Sequence, residues 1–351
     1  MRPFRFNMFS PVYDDLFVDR EKELRQTLDW ITSGTGNLII SGERGIGKTS
    51  LAWKAIADTK SHTAGTLVIR ESVYQFHGEG FDTFLSELGK QITVTVWQTI
   101  TGKTFSELFS EALDFEENKI ESRDIKALRR IYSILSASQL TSKATKSSRI
   151  GAKLVVDAGT QEALEKGMAR TAITSFEFLA IVDELKELAA RRGYARIVVI
   201  ADEFNYLLPS EQGDFIRIYF EVLNARRVIF GLIGMDLDPW TLPGINQCVE
   251  TYIPLGPFDS VDHVHALVVA GLDGTADERL AEFLNSGDIC AEMFAETKGN
   301  PRLIQRFCSE FMLQLEMNTG NRDFRAAFAK AKRRILEGRL REEEMMRGFK
   351  S

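Results

Sequence analysis

Asn37-Leu38-Ile39-Ile40-Ser41-Gly42-Glu43-Arg44-Gly45-Ile46-Gly47-Lys48-Thr49 is a short apolar run that opens straight into a complete GxxxxGK[ST] pattern. The residues after it, Ser50-Leu51-Ala52-Trp53-Lys54-Ala55-Ile56, read as a helix. Strand, glycine-rich turn and helix in this order make a phosphate cradle: the glycines let the backbone curl until its N–H groups point inward, and the helix adds its positive end. Lys48 is placed to neutralise the β and γ phosphates of ATP or GTP, and the Thr49 hydroxyl to hold Mg²⁺. Gly42, Glu43, Arg44, Gly45, Ile46, Gly47, Lys48, Thr49 and Ser50 are therefore the candidate nucleotide contacts. The competing reading is a glycine-rich turn with no ligand.

Working outward, Thr66–Arg70 predicts a second buried strand. A helix from Phe81 to about Ile100 follows, its apolar residues Phe81, Phe84, Leu85, Leu88, Ile92 and Val96 at helical spacing. Arg196–Ala201 is the clearest strand, preceded by an amphipathic helix from Ser175 to Arg192 with Thr174 or Ser175 as its cap. Residues 228–234 predict a fourth strand and 249–255 a fifth at an edge. This alternation implies a parallel sheet flanked by helices. Beyond Asp259 only helical patterns occur, at about 261–272, 277–285, 288–297, 301–317 and 322–346. The boundary is expected near Pro257, giving a core of residues 1–257 and an all-helical lid with a C-terminal helix over 258–351.

Residues 101–172 exceed what a crossover needs and read as an insertion, with Ser136 to Ser148 as a mobile, exposed loop rich in Ser, Thr and Lys. Between Ile125 and Val156 stand Lys126, Arg129, Arg130, Lys143, Lys146, Arg149 and Lys153 with no acidic residue, although the whole chain is acidic at a formal charge of −6. That asymmetry fits either a footprint for DNA or RNA phosphates or a solvated loop. The last 30 residues carry ten Lys or Arg against five acids and form a charged amphipathic helix whose apolar stripe is expected to pack on the lid.

Asp202 and Glu203 end the Arg196 strand. Mg²⁺ between phosphates needs further oxygen ligands, a role for Asp202, and the second carboxylate of such a pair orients attacking water as a general base. The alternative is a helix start, since acids favour the first turn.

Phe17-Val18-Asp19-Arg20-Glu21-Lys22-Glu23-Leu24, the phosphate loop, the Asp202-Glu203 strand end and Gly299-Asn300-Pro301-Arg302 together resemble the AAA+ ATPases, most nearly the origin-recognition-like and STAND branch. The resemblance spans residues 15–318 apart from the insertion. It implies a P-loop α/β fold with a helical lid, and Val18 and Arg20 near the adenine base. It also implies that Arg302 is a lid arginine sensing the phosphates, where its chemistry alone reads as a solvated helix-start residue. Asp19 departs from the family's usual glycine. The strand end Ile233-Gly234-Met235-Asp236 lacks the usual first-sensor polar residue, with Asp236 as a weak substitute. Residues 228–278 contain no Arg or Lys to serve as an arginine finger, and Arg226 and Arg227, just before the fourth strand, are alternative fingers that read better as solvated charges at a helix end. Slow turnover is expected, with ATP and Mg²⁺ setting a switch that acts on a partner protein or on self-assembly. An ATP-dependent DNA-binding regulator or loader is the rival, and a P-loop kinase fits less well.

Composition supports a cytoplasmic expectation: no apolar run reaches membrane-spanning length, and Cys248, Cys290 and Cys308 show no CxxC pairing, as reduced buried thiols do. His62, His77, His263 and His265 fall in no metal-ligand spacing beyond His263-Val264-His265, which reads as a surface helix pair.

Overall fold

The computed structural model describes residues 17–59, 65–76, 81–103, 123–143, 173–207, 220–241, 245–272, 277–317 and 323–348. The chain forms an α/β fold with a five-stranded, all-parallel sheet flanked by helices. In chain order its elements begin with α1 (Glu21–Ser33), β1 (Asn37–Ser41), α2 (Lys48–Thr59), β2 (Thr66–Ser72), α3 (Phe81–Thr101), α4 (Arg123–Lys143) and α5 (Ser175–Ala190). There follow β3 (Arg196–Asp202), β4 (Ile229–Gly234), β5 (Val249–Pro254), α6 (Val261–Leu272), α7 (Glu278–Leu284), α8 (Gly287–Thr297), α9 (Pro301–Met317) and α10 (Phe324–Gly348). The expected strands and the helices around them fall where the periodicities put them.

The sheet runs β2-β3-β4-β1-β5. Chain order reverses at β1, with β4, β3 and β2 on one side and β5 on the other. Parallel sheets bind ligands outside the carboxyl ends of their strands at such a reversal, and β1 is the strand that leads into the glycine-rich segment. Register is fixed across β2 and β3 from Thr66 opposite Arg196 to Ser72 opposite Asp202.

The contacts divide the protein into two compact units. One comprises Asp29–Ile40 and Thr59–Tyr252, the sheet and its flanking helices. Its core joins Phe84, Leu88 and Ile92 of α3, Phe178, Val182 and Leu185 of α5, and Ile69 and Val199 of the strands. Helix α5 starts on a capping box: the Thr174 hydroxyl accepts from the Glu177 N–H at 3.2 Å, and the Glu177 carboxylate accepts from the Thr174 N–H at 3.0 Å.

Helix α4 corrects the reading of the insertion. Residues 136–143 belong to this helix rather than to an exposed loop, while 144–148 lie outside the described residues. Leu128, Ile131 and Leu135 recur on one face and are buried in the core with α3, so packing of three apolar side chains overrides the Ser, Thr and Lys composition.

Two polar side chains pin the sheet. Asn37, 1% exposed, donates to the carbonyls of Leu223 (2.9 Å) and Cys248 (3.1 Å) and accepts from the Phe230 N–H at 2.9 Å. Arg196 donates to the carbonyls of Ile31, Trp30 and Gly34, so the carboxyl end of α1 is satisfied by the first residue of β3.

The second unit comprises Met1–Leu28, Ser41–Asp58 and Ile253–Ser351. Its core is aromatic: Phe307 and Phe328 lie 4.8 Å apart by ring centroid, and Phe283 stacks on Phe311 at 5.7 Å. Helix α10 packs on α9 through Ala327, Phe328, Ala331 and Ile335, and Lys332 bridges Glu292 (2.9 Å) and Glu296 (2.7 Å) of α8. Cys248, Cys290 and Cys308 are free and buried, and burial pushes the Cys290 and Cys308 thiols up to about 11 and about 12. Among the described residues no helix is long and apolar enough to cross a membrane.

Phe328→Ala is expected to cost about 3–5 kcal/mol, read as a lower urea midpoint. Glu71, 4% exposed on β2, has its carboxyl raised to about 7 by burial first and by Glu87 second, against a lowering hydrogen bond from Gln75. A carboxyl raised in the folded state binds more protons there than in the unfolded chain, so stability falls as pH rises from about 4.5 to about 7. Glu71→Gln is expected to flatten that slope in thermal melts taken across this window.

Candidate functional site

The glycine-rich segment lies in the second unit, with the C-terminal helices. Gly42 has φ +153°, and a Cβ there would stand 2.4 Å from the Leu255 carbonyl oxygen; Gly45 has φ +83°, and a Cβ would stand 2.7 Å from Cβ of Arg302. Both positions demand glycine for backbone angle and for space. The Lys48 ammonium folds back along the loop and donates to the carbonyls of Gly42 and Glu43, both at 2.7 Å. Helix α2 begins at Lys48, and its first turn includes Thr49 and Ser50.

The start of α9 meets the same loop. Lys298 (φ 51°) ends α8 in the left-handed conformation, Gly299 (φ 71°) turns the chain, and the Gly299 carbonyl accepts from the Phe258 N–H at 2.8 Å. Asn300 caps α9: its Oδ1 accepts from the N–H groups of Arg302 (3.1 Å) and Leu303 (3.3 Å), with Pro301 at the first helical position. Its Nδ2 donates to the Arg44 carbonyl at 3.2 Å, and the Arg302 N–H also reaches the Gly45 carbonyl at 3.2 Å. Arg302 therefore stands against Gly45 of the glycine-rich loop, with its Cβ and Cδ in the space that a larger residue at 45 would need.

The N-terminal motif belongs to this unit too. Val18 packs on the helical core. Asp19 and Arg20 both have positive φ, 61° and 76°. The Arg20 guanidinium donates to the Gly256 carbonyl and lies 5.7 Å over the Phe258 ring. His263 Nδ1 approaches Asp259 Oδ1 at 3.0 Å and Asp19 Oδ2 at 3.5 Å. The resemblance assigned Arg20 to a base contact, and its guanidinium is engaged in holding this turn.

In the sheet unit, Asp202 closes β3 at 8% exposure, and its Oδ1 accepts from the Glu203 N–H at 2.9 Å. Glu203 is exposed and has φ 58°, a conformation costly for a residue with a Cβ, and such strain concentrates at working sites. A short 3-10 turn, Phe204–Leu207, follows. It carries Asn205, whose Oδ1 accepts from the Met235 N–H at 3.2 Å and whose side chain lies against Gly234. The end of β4, apolar and glycine-terminated in sequence, thus receives a polar side chain from the neighbouring strand's turn. The spacing gave no signal for it, since Asn205 stands 29 residues before Gly234 in the chain. Asp236 is exposed with φ 53°.

The candidate fingers are surface residues: Arg227 pairs with Asp183, and Arg226 is exposed with φ 50°. In the basic segment, Lys126, Arg129 and Arg130 lie on α4, and the Arg130 guanidinium takes both carboxylate oxygens of Glu184 at 2.6 Å. Lys143 is the last residue of α4; Lys146, Arg149 and Lys153 lie outside the described residues. Among the described residues no group of three or more His, Cys, Asp or Glu side chains forms a protein-only metal site. The glycine cradle and the ammonium beside it fit a polyphosphate, and the Thr49 hydroxyl at the start of α2 is a hard oxygen donor of the kind Mg²⁺ prefers.

No family model matches the sequence, and no curated protein matches it. A solved structure, that of the Aeropyrum pernix Orc1 protein in complex with DNA, is similar over 92% of this chain and 66% of its own, at 14% identity and a TM-score of 0.49. The chain spans just under two thirds of that protein's length.

Gly45→Ala is expected to cost about 2 kcal/mol or more, because left-handed backbone and a clash with Arg302 add. Gly256→Ala, with open space around the new methyl, is expected to stay within about 0.5 kcal/mol. Urea titrations of the two variants check both.

Proposed function

We propose that the protein binds ATP with Mg²⁺ and hydrolyses it slowly, as an AAA+ or STAND-type switch acting on a partner protein or on its own assembly. The observation that carries this reading is the meeting of a glycine-cradled phosphate loop with the first turn of a lid helix inside one compact unit.

In this reading the N–H groups of residues 43–48 bind the β and γ phosphates, and the Lys48 ammonium joins them by exchanging the Gly42 and Glu43 carbonyls for phosphate oxygens. Thr49 and Asp202 hold Mg²⁺, which supplies charge neutralisation and orientation of the phosphate oxygens when bound. Glu203 orients water and accepts its proton. Arg302, on the lid, faces the γ-phosphate and exchanges partners when that group leaves, while Val18 and Arg20 shape the wall beside the base. Slow turnover follows from the cation inventory. A finger arginine supplies about 10³ to 10⁵ in rate, residues 228–278 hold no Arg or Lys, and Arg227 is paired with Asp183.

Calorimetry with Mg-ATP and phosphate-release kinetics test the reading together. Wild-type protein is expected to bind ATP and Lys48→Ala to lose binding. Glu203→Gln should bind normally and release phosphate about a hundredfold more slowly or less. Tens of turnovers per second from the isolated protein would remove the slow switch, and absence of any heat with purine triphosphates would remove the nucleotide site.

A further inference from the structure

Four consecutive carbonyls of the phosphate loop have side-chain or backbone donors. Those of Gly42 and Glu43 accept from Lys48, and those of Arg44 and Gly45 accept from the Asn300 carboxamide and the Arg302 N–H. A peptide unit is planar, so its C=O and the next residue's N–H point in opposite directions as one rigid plate. The Arg44 carbonyl shares its plate with the Gly45 N–H, and the Gly45 carbonyl shares its plate with the Ile46 N–H. An N–H turned inward to a phosphate therefore turns the paired carbonyl outward, and the lid holds these two carbonyls.

We propose that Asn300 is a positioning residue that couples phosphate occupancy of the loop to the lid, through the Arg44–Gly45 and Gly45–Ile46 peptide plates. The proposal rests on the nucleotide reading given above. An anion at the inward N–H groups polarises each plate and strengthens its outward carbonyl as an acceptor, so the bonds from Asn300 Nδ2 and the Arg302 N–H tighten when phosphate binds. Linkage requires the converse: lid bonds that hold the two plates raise the loop's affinity for phosphate by the same factor. The carboxamide is suited to this because its two ends do different work. Oδ1 caps α9, and Nδ2 reaches the loop. This path runs through backbone and is separate from any contact of the Arg302 guanidinium with the nucleotide.

Asn300→Asp divides the two functions. A carboxylate remains a good helix cap but has no hydrogen to give the Arg44 carbonyl. Full-length wild-type and variant proteins are compared by calorimetry with Mg-ATP and by hydrogen exchange of peptides within 301–317, with and without Mg-ATP. In wild type, Mg-ATP is expected to slow exchange in α9. In Asn300→Asp, exchange without nucleotide should match wild type, the Mg-ATP-induced slowing should be lost, and ATP should bind about fivefold more weakly, the ratio that one neutral hydrogen bond supplies. A purely structural role for Asn300 would change exchange without nucleotide and leave the nucleotide-induced difference intact. Equal affinity and equal induced slowing in wild type and variant overturn the relay while leaving the nucleotide site standing. No heat from wild type overturns the nucleotide reading and the relay with it. If Asn300→Asp does not fold, Asn300→Ser makes the same comparison, since its hydroxyl caps the helix but is too short to reach Arg44.

Discussion

A loop that turns its N–H groups toward one side must present its carbonyls to the other, and those carbonyls need donors as much as any buried polar group does. Around this constraint the glycine-rich loop and the start of α9 are organised. Lys48 serves the first two carbonyls, and the start of α9 serves the next two. The close approach that these bonds require is the reason Gly45 tolerates no side chain, with Arg302 filling the space a Cβ would take. A glycine-rich loop lacking this outer support would have to satisfy the same groups with water and would hold its curl less firmly.

The same economy recurs in the sheet unit. Asn37 uses both ends of its carboxamide among β1, β4 and the segments beside them, and Arg196 takes three carbonyls at and just beyond the end of α1. Asn205 turns its oxygen to the Met235 N–H at the end of β4. In each case a forked side chain with fixed geometry ties backbone segments distant in sequence, at sites where regular secondary structure leaves donors or acceptors over. Apolar packing supplies the bulk of the cohesion, through α3, α4 and α5 in one unit and the Phe283, Phe307, Phe311 and Phe328 cluster in the other.

Backbone strain occurs at polar residues in each of the two units. Asp19, Arg20, Glu203 and Asp236 hold positive φ without being glycine, and each adjoins a segment that the sequence motifs single out. Their neighbours impose the conformation: the Asp202 carboxylate accepts from the Glu203 N–H, and the Arg20 guanidinium is held by the Gly256 carbonyl and the Phe258 ring.

By itself the sequence determined the elements and the glycine cradle. Apolar periodicity distinguishes strands such as Arg196–Asp202 from helices such as Pro301–Met317, and GxxxxGK[ST] names residue types that few other backbone geometries require. It misplaced residues 136–143, whose polar composition hid a helix held by Leu128, Ile131 and Leu135. Asn300 is legible as a helix cap before Pro301, but its second bond, to Arg44 256 residues away, is not. Nor are the bonds from Arg20 to Gly256 or from Asn205 to Met235. The partner in each of these is a backbone carbonyl or N–H, and every residue type carries those alike. Side-chain identity therefore writes the donor or the cap into the sequence, and only the tertiary fold selects which of many chemically equivalent backbone groups it meets.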